Sequence, residues 1–241
     1  MSSSLVIIPT YNEVENIQAI VQAVFALPSL FDVLVVDDNS PDGTAEVVKN
    51  LQQQFPNRLF LESRSGKMGL GRAYVHGFGW AIERNYDLIY EMDADFSHNP
   101  NDLELLRAAC LNGKADMAIG SRYVRGVNVV NWPLSRVLMS YFASIYVQMI
   151  TGMKINDATA GFVCYKKEVL EKIGIHNIEF IGYAFQIETK YRAYCKKFNL
   201  VEIPIIFTDR TKGTSKMSNA IISEAIFGVI KLRIKHLFNK I

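Results

Sequence analysis

Cysteines are few in this chain, and none lies close to another. Only three occur among 241 residues, at Cys110, Cys164 and Cys195, and no two form a Cys-x-x-Cys pair. This spacing argues against a thiolate metal site and against a disulfide framework. We therefore expect a reducing, cytoplasmic setting.

Long hydrophobic runs and a basic leader are also missing. The apolar run at residues 5–9 is too short for a secretory signal. The longest apolar stretch, residues 137–150, contains polar side chains and falls short of the roughly 20 residues that cross a bilayer. The sequence predicts no export and no transmembrane helix, although the chain could lie on a membrane surface.

Excess charge of either sign is absent. There are 26 Lys and Arg against 24 Asp and Glu, a formal net charge of +2, which by itself does not indicate a nucleic-acid partner. With 49% hydrophobic and 21% charged residues, the composition argues against disorder. A chain of this length buries a large core, and we expect one domain over residues 1–241.

Apolar runs alternate with segments of helical periodicity, which is the pattern of βαβ units. Strands are expected near residues 5–9, 32–37, 59–63, 88–93, 117–122, 162–166 and 201–208. Helices are expected at residues 14–27, 44–54, 70–84 and 102–112. The pattern predicts an α/β fold with a mostly parallel, doubly wound sheet.

Two further helical segments are expected at about residues 133–151 and 217–238. The second combines an apolar stripe with basic residues near its C-terminal end, at Lys231, Arg233, Lys235, His236 and Lys240. Basic amphipathic helices bind membrane surfaces. Basic residues equally favour the C-terminal end of an ordinary core helix, so both interpretations stay open.

Two carboxylates one residue apart, Asp93 and Asp95, directly follow the apolar run at residues 88–90. In open α/β sheets ligands bind where strands end, so this pair places negative charge at a ligand site. Hard oxygen ligands beside a nucleotide suit Mg²⁺ or Mn²⁺. The competing interpretation is that Asp95 caps the following turn while Asp93 is a solvated strand end.

Acidic loops, residues 9–13 and 37–44, also follow the first two strands. Because parallel strands end at the same edge, their carboxylates would face the Asp-x-Asp pair, and such clustering is costly without a shared ligand. A nucleoside would explain it: Tyr11 would flank the base, while Glu13 and Asp38 would accept hydrogen bonds from base or ribose.

A glycine pair, Gly69 and Gly71, follows a strand and opens a helix, which superficially resembles a dinucleotide-binding fingerprint. However, Tyr74 stands where the third glycine belongs, and the preceding strand is the third rather than the first. Residues 66–67 do not form a P-loop, because Met68 stands where Ser or Thr would bind magnesium. An NAD-dependent oxidoreductase is therefore an alternative that NAD binding would test.

Basic residues follow later strands, with Arg122 after the fifth and Arg210, Lys212 and Lys216 after the last. A metal and several cations around one crevice suit a diphosphate leaving group and a second, anionic substrate. Each of these residues alone is explained as a surface charge. Together with the carboxylates they favour catalysis over a non-catalytic lipid-surface adaptor.

Six segments carry a resemblance to a known family, and together they are specific although no single one would be. The segments are Pro9-Thr10-Tyr11-Asn12-Glu13, Val36-Asp37-Asp38-Asn39-Ser40-Pro41-Asp42-Gly43-Thr44, Lys67-Met68-Gly69-Leu70-Gly71, Met92-Asp93-Ala94-Asp95-Phe96-Ser97-His98, Gly120-Ser121-Arg122-Tyr123, and Asp209-Arg210 with Ser215-Lys216. In this order they resemble family 2 glycosyltransferases of the dolichol-phosphate (polyprenyl-phosphate) mannose synthase type. The resemblance runs from Leu5 to about Lys216.

This resemblance implies a GT-A fold and inverting transfer of mannose from GDP-mannose to a polyprenyl (dolichyl-type) phosphate. UDP-glucose stays open as an alternative donor. Carried over by motif, the nucleotide-sugar site would contain Pro9, Tyr11, Glu13, Val36, Asp38, Asp93, Ala94, Asp95, Arg122, Arg210 and Lys216. The metal, Mg²⁺ or Mn²⁺, would be bound by Asp95 with Asp93 and Ser97, the last at a position where some relatives carry Gln.

The resemblance also implies roles at the reacting centre and at the membrane. Arg122 and Arg210 would contact the phosphates, and Asp157 would act as a base or orient the sugar, its alternative being an ordinary loop residue. The helices at about 133–151 and 217–238 would lie in the membrane interface on the cytosolic side. Because no spanning helix is expected, peripheral attachment or a separate membrane subunit would bring the enzyme to its lipid.

Overall fold

The structure, a computed structural model, describes residues 2–182, 184–209 and 219–238. Four basic residues considered above lie outside these ranges: Arg210, Lys212, Lys216 and Lys240.

A seven-stranded sheet has the strand order β3-β2-β1-β4-β7-β5-β8. Its strands are β1 (Ser4–Thr10), β2 (Asp32–Asp37), β3 (Leu59–Ser63), β4 (Leu88–Glu91), β5 (Met117–Ser121), β7 (Val163–Lys166) and β8 (Leu200–Pro204). A small second sheet pairs β6 (Val129–Val130) with β9 (Phe207–Thr208).

Helices cover both faces of the large sheet, as the βαβ pattern predicted. They are α1 (Ile17–Phe25), α2 (Thr44–Gln52), α3 (Leu70–Glu83), α4 (Asp102–Leu111), α5 (Leu134–Thr151), α6 (Lys167–Ile173), α7 (Ala184–Cys195) and α8 (Asn219–Leu237). Side chains of α1, α2 and α4 fill the core on one face, and those of α3, α5, α7 and α8 fill the other. In β1, Leu5 and Ile7 enter one core while Val6 and Ile8 enter the other, because successive strand residues point to opposite faces.

The strand ends that carry the acidic loops lie at one edge of the sheet. In the parallel register of β1 and β2, Thr10 is opposite Asp37. The Met92 amide, just beyond β4, donates to the Ile7 carbonyl at 3.2 Å. The three loops therefore leave the sheet side by side, as the sequence predicted.

One strand expectation needs correction, and one expected strand has a direction that was not predicted. The strand expected at 162–166 is β7, and it runs antiparallel to both of its neighbours, β4 and β5. The strand expected at 201–208 is divided into β8 and β9: Pro204, which has no amide hydrogen to donate, ends β8 opposite Ser121, and β9 then pairs with β6.

The helix expected at 14–27 begins only at Ile17. Asn12 has a positive φ of 60°, and the amides of Asn16 and Ile17 both donate to the Glu13 carbonyl, which closes a turn before the helix. Helices α6 and α7 were not predicted. Buried charged residues in α7, among them Glu188, Lys190 and Arg192, hide its helical pattern.

Glycines let α3 approach its neighbours. A Cβ at Gly77 would lie 2.7 Å from Ile7 Cγ2 in β1, and one at Gly71 would lie 2.9 Å from the Phe180 carbonyl oxygen. Gly79 in the same helix faces open space. Gly77 and Gly71 thus hold α3 close to the sheet and to the segment that precedes α7.

That preceding segment, residues 178–182, also contacts α8. The Gly71 amide donates to the Ile181 carbonyl at 2.8 Å, while the Glu179 carboxylate pairs with Lys231 at 2.8 Å and with Lys235. The two lysines of α8 therefore serve as partners of Glu179 within the fold.

Candidate active site

The Asp-x-Asp pair lies in a tight loop after β4. Asp95 Oδ1 accepts hydrogen bonds from the Ser97 amide at 3.1 Å and from Ser97 Oγ at 2.6 Å. Phe96, between them, has a positive φ of 60°. The loop thereby folds back on itself, with Asp93 and Ser97 both lining a cavity.

His98 stabilises this loop through a hydrogen bond to its backbone. It is buried, stacks on the Phe162 ring at 4.8 Å between centroids, and accepts a hydrogen bond from the Asp93 amide at Nδ1. Burial lowers the pKa of His98 to about 4, with Arg122 adding to the effect and Asp95 and Asp157 opposing it. The ring is therefore neutral and holds the loop in place. No role for His98 was predicted from the sequence.

Arg122 and Asp157 form a buried, bidentate ion pair. Arg122 Nε donates to Asp157 Oδ2 at 2.7 Å and Nη2 donates to Oδ1 at 2.6 Å, while the Arg122 amide also donates to Oδ2 at 2.9 Å. Burial acts to raise the pKa of Asp157, but the charge and hydrogen bonds of Arg122 outweigh it and lower the pKa. Both carboxylate oxygens thus hold the guanidinium, which reaches the same cavity as Asp93.

Glu202 in β8 accepts hydrogen bonds from the segments that carry Arg122 and Asp157. One of its oxygens accepts from Ser121 Oγ at 2.7 Å and from the Asp157 amide at 2.9 Å, and the other accepts from the Asn156 amide at 2.8 Å. The carboxylate therefore ties the end of β5 to the loop that carries Asp157. No motif marks Glu202 in the sequence.

The candidate nucleoside residues lie at the ends of β1 and β2. Asp38 Oδ1 accepts from Arg64 Nε at 2.6 Å, and both side chains are largely buried. Lys67 lies over the Tyr11 ring, 4.9 Å from its centroid. Arg64 and Lys67 were given no role from the sequence. They place positive charge beside the acidic loops.

The other candidates on these strands have structural partners as well. The Glu13 side chain accepts from Asn16 Nδ2 at 3.0 Å, and its amide donates to Thr44 Oγ1 at 3.0 Å. Pro9 and Val36 are opposite each other in the β1–β2 register. Ala94 is buried between the two aspartates.

A cavity of about 450 Å³ opens beside the Asp-x-Asp loop. Its polar end is formed by Asp93, Ser97, His98, Arg122, Thr159 and Gln186. Its walls come mainly from apolar residues of α5 and α8: Met139, Phe142, Ala143, Tyr146, Val147, Ile226 and Val229. A molecule with a charged head and an apolar tail matches this division.

Arg136 and Ser140 line the same cavity from α5. Arg136 lies 4.0 Å from the centroid of the Trp132 ring and pairs with Asp209 at 3.0 Å. Arg122 lies over the same Trp132 ring, 5.3 Å from its centroid, so two neighbouring guanidinium groups line the cavity and suit a phosphate. Neither residue was predicted from the sequence, where the helix is recognisable only as an apolar segment.

The donor atoms at the Asp-x-Asp loop suit a hard divalent cation. Asp93, Asp95 and Ser97 offer carboxylate and hydroxyl oxygens within one short loop, as Mg²⁺ and Mn²⁺ prefer. Within residues 2–182, 184–209 and 219–238, no group of three or more His, Cys, Asp and Glu side chains could hold a metal by itself. A cation here would therefore complete its shell with ligand oxygens and water, as Mg²⁺ commonly does beside phosphates.

Sequence comparison places the chain in a family. Residues 5–174 match the family described as Glycosyl transferase family 2. The chain belongs to this family. As a glycosyltransferase it is an enzyme, which decides against both the NAD-dependent oxidoreductase and the non-catalytic adaptor.

Two curated relatives of this family 2 glycosyltransferase are similar over nearly its whole length. It is 46% identical over 232 residues to the polyprenol monophosphomannose synthase of Mycolicibacterium smegmatis, covering 96% of this chain and 87% of the relative. It is 42% identical over 227 residues to the undecaprenyl-phosphate mannosyltransferase of Micrococcus luteus, covering 94% and 92%.

Solved structures share the fold of the glycosyltransferase. Glucosyl-3-phosphoglycerate synthase from Mycobacterium tuberculosis, in complex with Mn²⁺, UDP-glucose and phosphoglyceric acid, superimposes with a TM-score of 0.69 at 14% identity, covering 96% of this chain and 79% of that one. The same enzyme with UDP alone gives a TM-score of 0.66. The expected GT-A fold is confirmed.

Proposed function

We propose that this glycosyltransferase transfers mannose from GDP-mannose to a polyprenyl phosphate with inversion, giving a lipid-phosphate mannose. The observation that carries the proposal is the cavity, because its apolar walls and its end with two arginines match a lipid phosphate. The names of the two relatives support mannose as the sugar and a polyprenyl phosphate as the acceptor.

The acceptor phosphate would lie between Arg122 and Arg136, with the isoprenoid chain along α5 and α8. A phosphate monoester has a second pKa of about 6, so it is already a nucleophilic dianion near neutral pH. A strong general base is therefore unnecessary. Asp157 would orient Arg122 rather than remove a proton, because both of its oxygens already accept from Arg122.

The donor would lie on the neighbouring strand ends. Tyr11, Glu13 and Asp38 would hold the nucleoside with Pro9 and Val36 beneath it. Asp93, Ala94 and Asp95 would lie along the ribose and diphosphate, where Arg210 and Lys216 are also expected to contact phosphate. Bound Mg²⁺ or Mn²⁺ would supply positive charge that stabilises a departing diphosphate. Asp95, Asp93 and Ser97 would hold the cation.

The enzyme would reach its lipid from the cytosolic side of the membrane surface. Among the helices that the structure describes, none is long and apolar enough to span a bilayer. Large apolar residues of α5 and α8 are nevertheless exposed, for example Met149 at 79% and Phe227 at 72%. These exposed side chains support peripheral attachment, alone or with a separate membrane subunit.

The proposal is tested by transfer assays with the purified chain and a short polyprenyl phosphate in detergent. We expect a labelled lipid product from GDP-mannose with Mn²⁺ or Mg²⁺, none with EDTA, and a β-anomeric configuration by NMR. Calorimetry should show metal-dependent binding of GDP but not of UDP or NAD. Transfer from UDP-glucose in place of GDP-mannose would overturn the donor assignment.

A further inference from the structure

A buried polar cluster lies directly behind the polar end of the cavity. Its members are Glu91 at the end of β4, Tyr165 in β7, and Gln186 and Lys190 in α7, each almost completely buried. Tyr165 donates to Glu91 Oε1 at 2.8 Å, and Gln186 Nε2 donates to Glu91 Oε2. Only Gln186 among the four also lines the cavity.

The two charged residues fix the orientation of the Gln186 amide. Its nitrogen faces the Glu91 carboxylate, and its oxygen accepts from Lys190 Nζ at 3.2 Å. Turning the amide over would set oxygen against carboxylate and nitrogen against ammonium, which is unfavourable on both sides. Lys190 is itself held by the carbonyls of Ala160 at 2.7 Å and Gln186 at 3.1 Å.

Among the residues that the structure describes, one amide N–H of Gln186 remains for a ligand. The nitrogen carries two hydrogens, and Glu91 takes one of them. Gly161 lines the cavity next to it, and a Cβ at that position would lie 3.6 Å from Gln186 Nε2. The absence of a side chain at Gly161 leaves the amide accessible from the cavity.

We infer that Gln186 binds a hydroxyl group of the transferred hexose and contributes to the choice of sugar. This inference rests on the proposed function. The charges of Glu91 and Lys190 behind the amide offset each other, and Asp93 lines the same cavity, so this point does not favour a phosphate dianion. A neutral hydroxyl suits this position, because a hydroxyl can accept a hydrogen bond from the Gln186 N–H and donate one to the Asp93 carboxylate.

The test compares a ligand with the sugar against one without it. In Gln186→Met, which keeps the length of the side chain, affinity for GDP-mannose should fall roughly three- to tenfold, as expected for one lost hydrogen bond, while affinity for GDP stays unchanged. In this variant Glu91 keeps its hydrogen bond from Tyr165, and Lys190 keeps its hydrogen bonds to two backbone carbonyls, so we expect the protein to fold. The matched control is Thr189→Ser, a buried neighbour in α7 that does not line the cavity and that keeps the hydroxyl donating to the Gln186 carbonyl at 3.2 Å; it should bind both ligands normally.

A second variant, Gly161→Ala, tests the same hydrogen bond in case Gln186→Met does not fold. Gly161→Ala would cover the amide in ordinary van der Waals contact without entering the cluster, and should also weaken GDP-mannose but not GDP. Equal losses for both ligands in Gln186→Met, or wild-type GDP-mannose affinity in either folded variant, would overturn the inference. Failure of the wild type to bind GDP at all would instead refute the proposed function.

Discussion

At the residue scale, Arg122 and Asp157 depend on each other for stability. Asp157 is fully buried, so removing its partner leaves an uncompensated charge in the interior. Arg122→Ala should therefore destabilise the protein by about 3–5 kcal/mol and, in addition, lower the transfer rate by about 10² or more. Urea denaturation and steady-state kinetics measure the two effects separately.

A double substitution separates these effects further. Arg122→Met with Asp157→Asn removes both charges and keeps a side-chain oxygen for the backbone amide of residue 122, so no unpaired charge is left in the interior. The double variant should recover most of the lost stability and stay inactive. Recovery of activity as well would show that Arg122 acts only through the fold.

Asp95 is the second residue with a clear expected outcome. Asp95→Asn keeps an oxygen for the Ser97 amide and hydroxyl but loses the negative charge that a cation requires. We expect a normal melting temperature, loss of Mn²⁺-dependent GDP binding by calorimetry, and no transfer. Asp102→Asn, at the start of α4, is the control and should behave as wild type. Normal mannosyl transfer by Asp95→Asn would remove Asp95 from the metal site.

At the scale of single elements, α3 offers two glycines in different surroundings. Gly77→Ala would press a methyl group against Ile7 and should destabilise the protein by about 1–3 kcal/mol, as overpacking does. Gly79→Ala faces open space and should stabilise it by up to about 1 kcal/mol, because alanine favours the helix. Denaturant midpoints of the two variants should lie on opposite sides of the wild type.

The seven strands of the large sheet and the helices α1 to α5 and α8 could be predicted, because these segments have a clear period or a bounded apolar run. The direction of β7 could not be predicted, because a buried apolar run such as Val163–Lys166 has the same pattern in a parallel and in an antiparallel strand. Helix α7 was missed because its charged residues are buried, and one of them, Lys190, donates to the distant Ala160 carbonyl. Such pairing exists only in the folded chain.

Some residues of the candidate site could likewise be predicted from the sequence, and others could not. Asp93, Asp95 and Arg122 follow strands and could be named as candidates from the sequence, and the structure brings Asp93 and Arg122 to one cavity. Glu202 and Gln186 could not, because a lone polar residue in a strand or helix carries no signal until its partners are known. Their positions depend on contacts across many residues.

At the scale of the whole molecule, the exposed apolar residues of α5 and α8 lie on one face of the large sheet. Met149→Glu with Phe227→Glu should lower affinity for phospholipid vesicles at least tenfold, since burial of one such side chain is worth about 1.5–3 kcal/mol. Co-sedimentation measures this. Leu105→Glu in α4, an exposed apolar residue on the opposite face, is the control and should bind vesicles normally.

The basic residues of α8 are poorer targets for that experiment. Lys231 and Lys235 pair with Glu179, and Arg233 contacts the Tyr191 hydroxyl at 3.5 Å. Reversing their charges would oppose Glu179 and loosen α8 from the body of the protein. Weaker vesicle binding by such a variant would therefore not identify an electrostatic anchor, whereas the apolar pair leaves these contacts intact.

The place of β7 in the sheet has a consequence for synthesis on the ribosome. One edge of β4 pairs with β1, which is synthesised earlier, but the other edge of β4 has no partner until β7 has been synthesised. The two strands are separated by about 70 residues, which take about 4–14 s to translate at 5–20 residues per second. For that time the strand leading into the Asp-x-Asp loop has an open hydrogen-bonding edge, the kind of edge through which nascent chains aggregate.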